Sequence, residues 1–182
     1  MSTRFSFIIS LAIVIIPNIV LGQKVTMGPS SLWDQVDVVS MQQQDNEALR
    51  IVNGFYEEKS DGPNVFAEAI SCYIDCEHTG TWESSKSGSM IWRQRVRSEG
   101  AYSLNMAFSE FYLPSSAQLF ISDKNQEIII GPLTSADNDE HGEWWSPVFP
   151  SDEVLIQVHV APKQASELRL VVEQLNLSLI HI

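Results

Sequence analysis

Trp92-Arg93-Gln94-Arg95-Val96-Arg97-Ser98-Glu99-Gly100-Ala101-Tyr102-Ser103-Leu104-Asn105-Met106-Ala107-Phe108 is the stretch on which the fold turns. Its period is two. Trp92, Gln94, Val96 and Ser98 alternate with Arg93, Arg95 and Arg97, so an extended chain sends the three arginines to one face. Glu99-Gly100 breaks the run, and Gly100 tolerates the positive φ that a tight reversal requires. Tyr102, Leu104, Met106 and Phe108 then form an apolar face opposite Ala101, Ser103, Asn105 and Ala107. Two amphipathic strands joined by a turn imply an antiparallel sheet with one face in a core.

The same rhythm continues in both directions. Asp61-Gly62-Pro63-Asn64 is a turn, and period two starts near Val65. Phe111 to Pro114 closes the section after Phe108. Ala117, Leu119 and Ile121 begin another strand, Asp123 to Gln126 reads as a hairpin loop, and Glu127 to Ile130 returns to Gly131-Pro132. An acidic loop from Thr134 to Gly142 precedes the paired Trp144 and Trp145. Val154, Ile156, Val158 and Val160 make one more strand, and Leu168, Leu170 and Val172 the last. Seven or eight short strands without a long helical pattern predict an all-β fold, an antiparallel β-sandwich of jelly-roll type.

The chain of 182 residues is expected to divide into four parts. Arg4, the apolar run from Phe5 to Pro17 and the small residues up to Gly22 have the order of a secretory signal peptide over 1–22. Pro17 and Asn18 interrupt the apolar run short of a membrane span. Residues 23–62 form a polar N-terminal arm, extended or with one short helix, which includes the run Gln42-Gln43-Gln44. Residues 63–176 form the sandwich. The terminal Leu177-Ser178-Leu179-Ile180-His181-Ile182 coincides with the translation of CTG TCT CTT ATA CAC ATC, the start of a transposase end used in sequencing libraries. Residues 177–182 are therefore expected to be adapter read-through, the alternative being a genuine apolar strand.

Composition narrows the function further. Hydrophobic residues make up 44% and charged residues 19%, a globular balance. Removing the leader takes away Arg4 and no acidic residue, leaving 10 basic against 23 acidic side chains, a net charge of −13. Such a surface repels phosphate backbones, so nucleic acid is not an expected partner, nor is a membrane once the leader is cleaved. The expected location is secreted, extracellular or periplasmic. Cys72 and Cys76, bound for an oxidising compartment, either form a local disulfide across a turn or remain unpaired thiols. The spacing with His78 alone does not make a metal site.

An ordered set of motifs carries a resemblance. Gly80-Thr81-Trp82-Glu83, Trp92-Arg93, Ser98 to Asn105, Phe108 with Leu113-Pro114-Ser115-Ser116-Ala117-Gln118-Leu119, Gly131-Pro132-Leu133, and Trp144-Trp145 followed by Pro150 to Val154 occur in that order. With Asn64 to Ala67 as its entry, the series resembles the N-terminal domain of secreted bacterial trypsin-like serine proteases of the lysyl endopeptidase type. It covers about Gly62 to Asn176. The resemblance implies a propeptide or accessory module whose partner is its own protease domain, encoded beyond Asn176, with protein substrates acted on there. Alternatives are a stand-alone secreted sandwich that binds glycans or surface proteins, and the same module joined to an adhesion or sorting domain.

No catalytic residue is assigned to this stretch, and no cofactor or metal. His78, His141 and His159 lie near no nucleophile turn, and His159, between Val158 and Val160, is expected on a strand surface. Asp137, Asn138, Asp139, Glu140 and His141 offer oxygen ligands without the spacing of a calcium loop, so a solvated acidic loop is expected. Arg93, Arg95 and Arg97 are candidate interdomain contacts that could grip a carboxylate-rich partner such as a following protease domain; the alternative is an exposed row balanced by the acidic surplus. Trp144 and Trp145 are candidates too. Adjacent strand residues face opposite sides, so one ring belongs to the core and the other to the rim or the surface.

Overall fold

In the computed structural model, residues 30–41 and 67–178 are described. The signal-peptide assignment, the glutamine run and residues 179–182 lie outside them. Ten strands are present among the described residues. They are β1 (Val38–Ser40), β2 (Ala67–Asp75), β3 (Thr81–Ser84), β4 (Met90–Arg97), β5 (Ser103–Tyr112), β6 (Gln118–Ser122), β7 (Ile129–Leu133), β8 (Trp144–Trp145), β9 (Glu153–Val160) and β10 (Arg169–Ser178). Short 3-10 turns occupy Ser30–Gln35, Ser135–Asp137 and Pro162–Glu167.

The strands form two sheets. One has the order β1-β4-β9-β6-β7, with β3 also on β4; the other has the order β2-β10-β5-β8. The chain is all-β in two sheets, as the alternation requires. Strand β4 organises the first sheet. One of its edges pairs along its whole length with β9. The other edge is shared, β3 taking Met90 to Arg93 and β1 taking Arg95 to Arg97. The β1–β4 pairing is parallel, the exception in an otherwise antiparallel structure.

The core lies between the inner faces. Trp92 and Val96 of β4, Leu119 and Ile121 of β6, and Val154 to Val160 at alternate positions of β9 meet Leu104, Met106, Phe108 and Phe111 of β5 and Leu170, Val172, Leu175 and Leu177 of β10. Phe108 and Phe111 are three residues apart yet both buried, which strict alternation forbids. The register of β5 against β10 slips between Val171 and Val172, which pair with Glu110 and Phe108. The bulge at Ser109 therefore returns Phe111 to the inner face. A second slip on β10 does the same for Val172 and Leu175.

Two indoles fix the β2–β3 connection. Trp82 Nε1 donates to the Cys76 carbonyl at 2.9 Å, and Trp92 Nε1 donates to the Thr79 carbonyl at 2.8 Å. Gly80, with φ of +79°, passes so close that a Cβ there would sit 2.6 Å from Trp92 Nε1. The Ser98–Ala101 turn forms, with Gly100 at φ of 86°, but it carries the chain from β4 in one sheet to β5 in the other, so the two strands do not pair side by side as the alternation and turn predict.

The arm is not independent of the sandwich. It contributes β1, and its 3-10 turn lays Trp33 and Val36 over Leu155 on the outer side of β9. The chain also places Leu177 and Ser178 in β10, opposite Leu104 and Ser103. An apolar–polar pair extends a ladder whatever its origin. The docking of the arm gives the first prediction. Trp33→Ala should lower the unfolding free energy by about 3 kcal/mol through lost packing over Leu155. Urea titration should show a lower midpoint at constant slope; an unchanged midpoint would mean that the arm does not hold the sheet.

Candidate functional site

The outer face of the six-stranded sheet carries the arginines, and the structure corrects the idea of an exposed row. Arg93 is only 5% exposed. Its guanidinium is ion-paired with Glu83 on β3, and its Nε donates to Gln157 Oε1 on β9 at 2.6 Å. Arg95 reaches Glu153 at 2.7 Å, donates to the Trp33 carbonyl at 2.9 Å, and lies 5.3 Å from the Trp33 ring centroid. A buried guanidinium needs partners for its donors, and β3, β9 and the arm supply them. Arg97, paired with Glu99 at 3.3 Å, is the arginine of the three that keeps substantial exposure.

His159 belongs to the same face and is half-buried. Because Gln157 Oε1 is committed to Arg93, the Gln157 amide turns its N–H towards His159 Nε2, 2.6 Å away. That nitrogen must accept, which suits the neutral ring. Burial and, secondly, the charge of Arg93 hold the His159 pKa below its ordinary value, with Glu83 opposing. Phe120 meets the ring edge-on at 6.3 Å.

The tryptophan pair lies on the other sheet. Trp144 packs inward, stacked on Phe111 with centroids 5.1 Å apart and edge-on to Phe108 at 5.3 Å. Trp145 points outward and is 54% exposed. The strand alternation thus divides them between core and surface.

Cys72 and Cys76 are both free. Each thiol lies against a different carbonyl of β10, Cys72 against Val172 and Cys76 against Leu168. Strand β2 continues from Cys72 to Asp75 as strand, with a register irregularity between Ser71 and Ile74 but no turn that would bring the thiols together. Burial pushes both thiols up to about 11. They are thiols rather than thiolates at neutral pH, and poor nucleophiles.

The turn after β2 collects Asp75, His78 and Tyr73. Asp75 accepts from the Glu77 N–H at 2.9 Å, from His78 Nδ1 at 2.6 Å and from the Tyr73 hydroxyl at 3.4 Å. Burial raises its pKa, but these hydrogen bonds outweigh it and the net shift is downward. The hydrogen bond to Asp75 and its charge raise His78. The group closes a turn.

The acidic loop is used locally. Asp137 completes a capping box with Thr134, Asn138 brackets the Leu113 backbone at 2.8 and 2.9 Å, and Asp139 accepts from the His141 N–H at 2.8 Å. Among the described residues no group of three or more His, Cys, Asp or Glu side chains is arranged to hold a metal ion. No helix among them is long and apolar enough to cross a membrane.

Sequence reasoning missed two features. The partners of Arg93 and Arg95 are distant in sequence, and no local pattern announces them. A row of carboxamides, Gln174, Asn176 and Asn105, also lies on the outer face of the four-stranded sheet. Only the polar alternation of β5 hinted at it.

The family model for the lysyl endopeptidase N-terminal domain matches residues 75–178, from the end of β2 through β10. A crystal structure of PliG, a periplasmic lysozyme inhibitor of g-type lysozyme from Aeromonas hydrophila, is 13% identical, with coverage of 78% of this chain and 95% of that one. Its TM-score is 0.28, too low to carry an argument about fold or function.

The two perturbed histidines give opposite pH signs. The depressed His159 stays neutral in the fold while the unfolded chain takes up a proton below about 6.5. Stability therefore falls with pH below that value, by at most about 1.4 kcal/mol per pH unit for one proton. The raised His78 holds its proton in the fold, so its stabilisation is full below 6.5 and is lost as pH rises through the folded value. Denaturant midpoints at about pH 5.5 and 7.5 should show His159→Gln losing less stability on acidification than the wild type, and His78→Gln losing more. If His159→Gln kept the wild-type difference, the buried neutral histidine would be refuted.

Proposed function

The chain belongs to the lysyl endopeptidase N-terminal domain family, and on that premise we propose that it is the accessory or propeptide portion of a secreted, trypsin-fold serine endopeptidase. The observation that carries this reading is the family match over 75–178, which spans most of both sheets. The leader-like order of residues 1–22 supports export. Hydrolysis belongs to a catalytic domain encoded after this one. The module assists its folding, restrains it or presents substrate to it. Arg97 and Glu99, at the end of β4 beside β1, are half exposed and suited to contact that domain. Arg93 and Arg95 are spent inside the fold.

Re-reading the gene from genomic DNA across codon 176 tests the proposal. The expected outcome is an open frame continuing into a domain with an Ala-Ala-His-Cys-like segment and, later, a Gly-Asp-Ser-Gly-like one. A stop codon directly after codon 182 would sink it. The purified chain alone should leave lysyl and arginyl ester substrates intact, and hydrolysis by it would place the catalyst in the wrong part of the molecule.

A further inference from the structure

The outer face of the four-stranded sheet differs in kind from the arginine face. The register aligns Ser71, Gln174, Ala107 and Trp145 in one row across β2, β10, β5 and β8. In the adjacent row Asn176 stands opposite Asn105, on the two central strands. The carboxamides are linked head to tail. Gln174 Nε2 donates to Asn176 Oδ1 at 2.8 Å, Asn176 Nδ2 donates to Asn105 Oδ1 at 2.7 Å, and Asn105 Nδ2 donates to the Ser146 carbonyl. A carboxamide has two N–H donors and two acceptor lone pairs, and each of these donates one N–H within the ladder.

We propose that this face binds neutral glycans, with Trp145 as the stacking ring and the Gln174–Asn176–Asn105 ladder as the hydroxyl reader. Three observations converge on this ligand class. Asparagine is disfavoured in strands, yet two sit opposite each other at the centre of this sheet. Asn105 holds the Ser146 carbonyl after β8, and Asn176 is tied to Asn105 and to Gln174. Trp145 leaves more than half of its surface in water beside the small Ala107, so a flat apolar ring can lie on it without a steric wall. Asn176 and Asn105 stand on adjacent strands, about 4.8 Å apart, and Gln174 lies two residues before Asn176 on β10, so the three amides present several polar groups within the span of one sugar ring.

Charge selects among glycans. The ladder and its row contain no ionised group, while Glu110 and Glu173 lie near Tyr73 on the same sheet, close enough to raise that phenol after Asp75 has done so. With a net charge of −12, the chain disfavours uronate or sulfated chains at this face. The proposal is independent of the proteolytic reading. The glycan face and Arg97 are on opposite sheets, so one module can contact both an enzyme and a polysaccharide.

Affinity electrophoresis of the full chain through gels containing hydroxyethylcellulose, galactomannan or alginate tests the assignment. We expect retardation by at least one of the two neutral polymers and none by alginate. Trp145→Ala and Gln174→Ala should each weaken it by about tenfold, as expected for one lost stacking or hydrogen-bonding contact. Trp145→Tyr should retain most of it, and Ile129→Ala, exposed on the other sheet, should change nothing. Unretarded migration in both neutral gels would overturn the proposal, as would equal retardation of Trp145→Ala or stronger binding to alginate. Quenching of Trp145 by a mixed peptide library with no response to either neutral polymer would assign the face to a protein partner instead.

Discussion

Strand β4 is enclosed along most of its length, Arg97 at its end staying half exposed. Trp92 and Val96 enter the common core, Ile91 and Arg93 are covered on the opposite face, and both edges are hydrogen-bonded to neighbours. Burying a guanidinium without partners costs several kcal/mol, so a strand so enclosed and carrying Arg93 and Arg95 can exist only if its neighbours deliver acceptors at set positions. Glu83 must then lie on β3, Gln157 and Glu153 on β9, and the Trp33 carbonyl on the arm. The same contacts define where β3 and β1 divide the edge. Gln94 seals that division by donating to the Asp37 carbonyl at 2.9 Å, beside the Arg95 N–H that uses the same acceptor. Breaking one pair leaves a charge buried alone, so the placements of the arm, β3 and β9 depend on one another.

A second constraint acts on the four-stranded sheet. Aromatic residues three apart cannot both face inward on a regular strand, and the bulge at Ser109 resolves the conflict. With Phe108 and Phe111 both inside, Trp144 finds a platform, and the two residues of β8 are kept on β5 together with flanking bonds from Gly142, Ser146 and Phe149. Trp145 is presented outward as a consequence, at a site fixed by its neighbour's burial rather than by its own contacts. An exposed indole on a two-residue strand is thus as well positioned as one on a long strand.

Period-two alternation made β4, β5, β6, β9 and β10 legible, together with their core residues, because half-burial of a strand is written in adjacent positions. The turn at Gly100 and the division between Trp144 and Trp145 were readable for the same local reason, but that the turn crosses from one sheet to the other, rather than pairing β4 with β5, was not. Strand β1 was not, since three residues, Val38 to Ser40, with one half-buried side chain carry no period. Arg93 and Arg95 were misread as a surface row because their acceptors are 64 and 58 residues away. The carboxamide ladder joins positions 71 residues apart, so each amide taken alone reads as ordinary surface polarity. Signals that depend on pairing across the sandwich are invisible until the register is known.

The contrast between the two outer faces bears on what an accessory module can do. One face spends Arg93, Arg95, Glu83 and Gln157 internally, Arg97 and Glu99 staying half exposed at its end, and its apolar residues Trp33, Val36 and Leu155 are covered. Such a face gains little from a partner, because any new contact must first displace satisfied hydrogen bonds. The other face leaves an indole in water beside amides whose mutual hydrogen bonds already hold their rotamers. Ordering those side chains has been accomplished by folding, so a ligand meeting them loses less entropy on binding. A ligand on the four-stranded sheet therefore meets groups already ordered, whereas on the six-stranded sheet only the half-exposed Arg97–Glu99 pair is left to meet a partner without breaking buried ion pairs.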